Sequence, residues 1–164
     1  MKMEAHESIA NHQLVLQAFG RWPSFHDAEI HRMVLDRTRR RPNGRSYASV
    51  ELVVHAWIMT PNVTPNGYIK LDRHHLVHFL FEDVSDLELR EHNHQNVLGH
   101  LEFKLTGDEH TGVPVLLVDL EPCFGLWGEF KALRASVESV VPYADHEHEE
   151  DPRRSARPGT PADW

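Results

Sequence analysis

The stretch from residue 47 to 60, YASVELVVHAWIMT, constrains the fold more than any other part of the chain. Ala48, Val50, Leu52, Val54, Ala56 and Ile58 alternate with Ser49, Glu51, Val53, His55 and Trp57. A period of two is the signature of a β-strand and puts the first set on one face. The run is longer than an ordinary strand, so a bend or bulge is expected inside it. The same period returns downstream. In HLVHFLFEDV, Val77, Phe79 and Phe81 share a face, with Leu76 and Leu80 opposite, so both faces are expected to be covered. DLELRE alternates Leu87 and Leu89 with charges, and GHLEFKLTG alternates Leu101, Phe103 and Leu105 with His100, Glu102 and Lys104. VPVLLVDL is apolar on both sides and reads as a central strand. The segments RPNGR, TPNVTPNG and TGDEHTG supply turns.

Two segments carry mixed signals. AEIHRMVLDR fits a strand and a helix equally, and Ser24 with Asp27 also fits a capping box. EFKALRASVESVVPY has Phe130, Leu133, Val137 and Val140 at near-helical spacing, but its end is β-branched. Both are assigned to strands. Residues 7–19 read as a helix with Ile9, Leu16 and Phe19 on one face, and Gly20 stands at its left-handed C-cap. The predicted class is α+β: mainly an antiparallel β-sheet or sandwich of about six or seven strands, with one N-terminal helix. Val50, Leu52, Val54, Leu101, Phe103, Leu105, Leu116 and Val118 are the predicted core.

A chain of 164 residues is long enough to bury such a core as one domain. That domain is expected over residues 1–143. Residues 144–164, ADHEHEEDPRRSARPGTPADW, have almost no apolar content and are expected to be a disordered tail. The 25 acidic and 17 basic residues give a net charge of −8. That balance disfavours nucleic acid and anionic membrane surfaces, which call for cationic faces. One cysteine, Cys123, precludes an intrachain disulfide and a Cys-based zinc knuckle. No apolar run approaches the roughly 20 residues of a membrane span. The N-terminal stretch has no signal-peptide core, so the expected location is cytoplasmic.

The fourteen histidines raise the question of metal. On a strand, His74 and His78 share a face but lie about 13 Å apart, too far for one ion. His92 and His94 share a face but make only a pair. No metal site and no cofactor are expected. No nucleophile elbow or phosphate loop occurs, and Cys123 sits among apolar residues in LEPCFGLWG, so no catalytic residue is assigned. In FHD, His26 and Asp27 would diverge if they were strand neighbours. The favoured reading is a corner: Asp27 or Ser24 satisfies free backbone N–H groups, with Trp22 and Phe25 as anchors.

Charge is unevenly spread. RTRRRPNGR, residues 37–45, has five arginines and no acid, whereas EDVSDLELRE, residues 82–91, has five acids and one base. A strongly negative surface steers a cationic protein partner. The candidate partner-binding residues are therefore Glu82, Asp83, Asp86, Glu88 and Glu91, with Asn93, His94 and Asn96 in the adjoining turn.

The segments WPSFHDAEIHRMVLDR, FEDVSDLELREHNHQNVLGHLEF and VDLEPCFGLWGEF together resemble the immunity proteins of bacterial polymorphic toxin systems, and in particular the immunity protein 50 family. The motif residues are Trp22, Pro23, Phe25, His26 and Asp27, then Asn93, Gln95 and Asn96, then Glu121, Pro122 and Gly125. The sequence departs from the family pattern at His92, where an aromatic is expected. The resemblance covers residues 19–142. It implies a single-domain α+β inhibitor that binds a cognate toxin, with no catalysis and no cofactor. The competing reading is a small hydrolase or metal-dependent enzyme using the histidine-rich strands.

Overall fold

In a computed structural model, residues 3–63, 65–67 and 69–144 are described. The tail expected over residues 144–164 lies outside them, apart from its first residue. Eight strands follow a short N-terminal helical region: β1 Glu29–Arg40, β2 Ser46–Val63, β3 Ile69–Glu82, β4 Ser85–Arg90, β5 Val97–Gly107, β6 Pro114–Phe124, β7 Trp127–Ala132 and β8 Arg134–Pro142. All are antiparallel neighbours in the order β4-β7-β6-β5-β1-β2-β3-β8. The class is α+β as predicted, with more strands than the six or seven expected. One extra strand arises because EFKALRASVESVVPY is two strands, broken at Leu133.

The sheet folds over on itself at two corners. At the first, β1 meets β5 through the single ladder pair Glu29 and Val97. Backbone bonds from Asp27 N–H to Leu98 O, Leu98 N–H to Ala28 O and Ile30 N–H to Asn96 O, at 2.8–2.9 Å, complete the joint. At the second corner, the β3–β8 ribbon continues as β4–β7, and the bend falls at Asp83 and Leu133. Leu133 N–H donates to Glu82 O at 3.1 Å, and Asp83 adopts φ 56°. Strands that change sheet at bends are the usual way of building the corner of two packed layers. One layer is β4-β7-β6-β5 and the other β1-β2-β3-β8.

Alternation fixes which side chains fill the space between the layers. Val50, Leu52, Val54, Leu101, Leu116 and Val118 are all buried. Phe103 is only partly buried, and Leu105 is 38 % exposed, as one of the last four residues of β5, all of them exposed. Aromatic rings bridge the layers: Phe81 meets Phe130 at 5.1 Å, and Phe79 meets both Phe103 and Phe25 at 5.9 Å. The expected irregularity in β2 is present as register shifts against β3 after Ala56 and after Met59.

The helix predicted over 7–19 is shorter. A 3-10 turn occupies Ala5–Ser8 and α1 spans Gln13–Phe19, with Gly20 at φ 79° as the left-handed cap. Between them the chain leaves helical geometry to pair with β8: Ala10 N–H donates to Ala135 O at 2.9 Å and Val137 N–H donates to Ala10 O at 2.8 Å. A sheet edge left open is a liability, and this contact covers part of one. β4, the other edge, is short and charged, which serves the same end.

Candidate functional site

The FHD corner is structural and polar at once. Phe25 is buried against Phe79 and Trp22, and His6 stacks on Trp22 at 4.6 Å. Ser24 Oγ accepts from His26 N–H at 3.2 Å, the local bond expected of a corner serine. The Asp27 carboxylate accepts from no backbone N–H among the described residues. Nor do His26 and Asp27 diverge. They lie in a turn rather than a strand, with φ 60° at Phe25 and 65° at Asp27, and His26 Nε2 stands 3.6 Å from Asp27 Oδ1. Cys123 Sγ, from the end of β6, is 3.9 Å from the same oxygen.

The segregated charges of the sequence come together in space at the other corner. Arg41 from the arginine loop pairs with Asp83, and Arg134 reaches both Asp83 at 3.3 Å and Glu82 at 3.4 Å. Tyr47 donates its hydroxyl to Glu82 at 2.6 Å. With Asp83 only 11 % exposed, these two acids hold the bend and offer little to a partner. Asp86 pairs with Lys131 at 3.3 Å. Asn96 is buried, and its side chain is committed to the backbone of the turn: Oδ1 accepts from Asn93 N–H and Leu126 N–H, and Nδ2 donates to Asn93 O, all at 2.9–3.0 Å. Glu91, Asn93 and His94 remain at the surface and line an open groove of about 840 Å³ between the start of β1 and the 91–96 turn. His31, Arg32 and Arg90 also line it, so its charge is mixed.

Unbalanced negative charge appears elsewhere, on the outer face of the β4-β7-β6-β5 layer. Strand register places Glu88 opposite Glu129, Glu129 opposite Asp119, and Asp119 opposite Glu102. The four carboxylates form one row across four strands. Like charges directly opposite one another are destabilising. The row's ends are partly relieved, by Arg90 at 3.5 Å from Glu88 and by Lys104 and His100, each 3.6 Å from Glu102. In the middle, Glu129 and Asp119 have no ion-pair partner among the described residues, and Asp119 Oδ1 is buried without a hydrogen bond. Sequence reasoning found Glu88 but missed the other three. Each sits at an outward position of its strand, and only the register between strands reveals the row.

Histidines converge where sequence spacing gave no sign of it. His55 is buried on the outer face of β2, its Nε2 2.9 Å from Nδ1 of His74, and Glu29, His31 and His55 place one potential ligand atom each within 4.8 Å of the others. His78 instead faces Glu51 at 3.4 Å, so His74 and His78 serve different neighbours.

Among known proteins, the sequence model of the family described as Immunity protein 50 matches residues 11–143. No curated protein and no solved structure gives a significant match.

Proposed function

The chain belongs to the immunity protein 50 family, and from that premise we propose that it binds and neutralises the cognate toxin of a bacterial polymorphic toxin system. The match over residues 11–143, which includes every strand, carries this reading. The role is binding without catalysis, exercised in the cytoplasm on a cationic toxin domain. Among the described residues no helix is long and apolar enough to cross a membrane.

The acidic row supplies the physics of recognition. A toxin that acts on nucleic acid needs a positive surface to hold phosphate, and carboxylates spaced along a rigid sheet can occupy that surface in place of phosphates. Glu129 and Asp119 have no ion-pair partner among the described residues, so a lysine or arginine from the partner completes the row. Glu88 and Glu91 extend the negative surface towards the groove, where Asn93 and His94 add shape-specific contacts.

Co-expression with a candidate cognate toxin domain tests the assignment. Growth should be rescued, and the two purified domains should form a complex. The double variant Asp119→Asn/Glu129→Gln should bind at least about tenfold more weakly, the factor that corresponds to 1.4 kcal/mol. A toxin that still kills in the presence of soluble, folded chain would overturn the reading.

A further inference from the structure

We propose that His26, Asp27 and Cys123 form a surface site for a thiophilic divalent cation of the zinc class. The three side chains come from two distant parts of the chain, the turn ahead of β1 and the end of β6, and their candidate ligand atoms lie within 4.8 Å of one another. The individual separations fit a single ion. His26 Nε2 to Asp27 Oδ1 is 3.6 Å and Asp27 Oδ1 to Cys123 Sγ is 3.9 Å. Ligands on a tetrahedral zinc, with bonds of about 2.0–2.3 Å, stand about 3.3–3.6 Å apart, so small side-chain rotations close the set.

The histidine is already oriented for a metal. Its Nδ1 is 2.8 Å from the carbonyl oxygen of Gly99, which can only accept, so Nδ1 donates there and Nε2 is the ring nitrogen turned towards the carboxylate. Donation of the second ring nitrogen to a backbone carbonyl is the usual outer-shell support of a metal-bound histidine. The supporting backbone is itself fixed. Asp27 N–H is bonded to Leu98 O at 2.8 Å, Ala28 N–H to Phe25 O at 3.1 Å, and Gly99 lies against Cys123, where an added Cβ would stand 3.6 Å from both its nitrogen and its Sγ.

A His-Asp-Cys set of one nitrogen, one carboxylate oxygen and one thiolate suits zinc better than magnesium or calcium, which take oxygen. Three protein ligands leave the fourth position to water. On binding, the metal–sulfur bond replaces the S–H bond and the proton passes to solvent. Side chains of His26 and Asp27 are 50 % and 48 % exposed, so the ion has open access. The Glu29–His31–His55 group is the weaker candidate because His55 Nε2 already meets His74. The inference departs from the sequence expectation of no metal, which weighed neighbouring histidines and the lone cysteine separately and not together.

Cobalt(II) provides the test, because the full chain has one cysteine and a thiolate-to-cobalt charge-transfer band in the near ultraviolet therefore reports on Cys123 alone. Titration of the metal-free, reduced chain should produce that band and saturate at one ion per chain. Cys123→Ser should abolish it, and His26→Gln and Asp27→Asn should each weaken cobalt affinity at least about tenfold. A second measurement needs no variant: saturating zinc should slow alkylation of Cys123 in the wild-type chain by at least about tenfold. Absence of the band, saturation at one ion per two chains, a band of unchanged affinity in both His26→Gln and Asp27→Asn, or an alkylation rate indifferent to zinc would each overturn the proposal.

Discussion

The carboxamide of Asn96 accepts from two backbone N–H groups and donates to a carbonyl, in a position only 5 % exposed. Two of those bonds, to Asn93, close the turn on itself, and the third ties it to Leu126, thirty residues away. Gly125 allows the approach: a Cβ there would stand 2.6 Å from Asn96 Oδ1 and 2.5 Å from Gln95 O, and its φ is 85°. Asn96→Ala leaves two N–H groups without their acceptor, and the buried one, of Leu126, costs about 1–3 kcal/mol. The expected loss is therefore at least about 1–3 kcal/mol, read as a fall in the midpoint of denaturant unfolding. Asn96→Asp keeps the acceptor and should recover part of it. The sequence marks Asn96 as a turn residue and a candidate contact, but its distant partner, Leu126, has no local signature. For Phe25 the local signal sufficed, since an aromatic between proline and an apolar stretch has few places to go but the core.

Elements were legible where the pattern is local. β2 and β5 follow from alternation, β6 from a short run apolar on both sides, and Gly20 ends α1 as its position requires. The pattern cannot show where a strand leaves one layer for the other. Leu133 breaks EFKALRASVESVVPY because the ribbon turns a corner there, and that need arises from β3 and β4, some fifty residues earlier. The arginine loop has the same origin: Arg41 is drawn to Asp83 because the bend brings them together. The β5–β6 turn, in contrast, is held by its own residues. Asp108 Oδ1 accepts from the N–H groups of both His110 and Thr111 at 2.8 Å. The Thr111 N–H first, and then that of His110, hold the Asp108 carboxyl below its ordinary value of 3.8. A lowered folded-state value favours the charged form, so its stabilisation is complete above about 3.8 and is lost as pH falls through the lower folded value. Asp108→Asn lacks this stabilisation. Unfolding curves of the two proteins should differ at neutral pH and converge in acid below that range, and a constant gap down to the acid limit would count against the turn as the source.

At the scale of the whole molecule, a fold has kept four carboxylates in one row across a sheet although like charges facing each other are destabilising. Relieving the middle of the row should therefore strengthen the fold and weaken the proposed toxin complex, opposite signs from one change. Glu129→Gln faces two carboxylates at once, Glu88 and Asp119. It is expected to raise stability by a few tenths of a kcal/mol up to about 1 kcal/mol, the scale of cross-strand pair energies, visible as a higher melting temperature. The same substitution should slow association with the toxin domain, because exposed charges attract an oppositely charged partner over distances set by the Debye length, about 10 Å at 0.1 M salt. Steered association falls steeply with ionic strength, whereas an unsteered one stays near its basal rate. Stopped-flow mixing at several salt concentrations separates the two. The wild-type on-rate should fall as salt rises, Glu129→Gln should start lower and fall less, and Glu88→Lys, at the exposed end of the row, should lie below both. On-rates that are indifferent to salt and to both substitutions would leave the row a cost without a partner, and would move the interface to the mixed-charge groove beside the 91–96 turn.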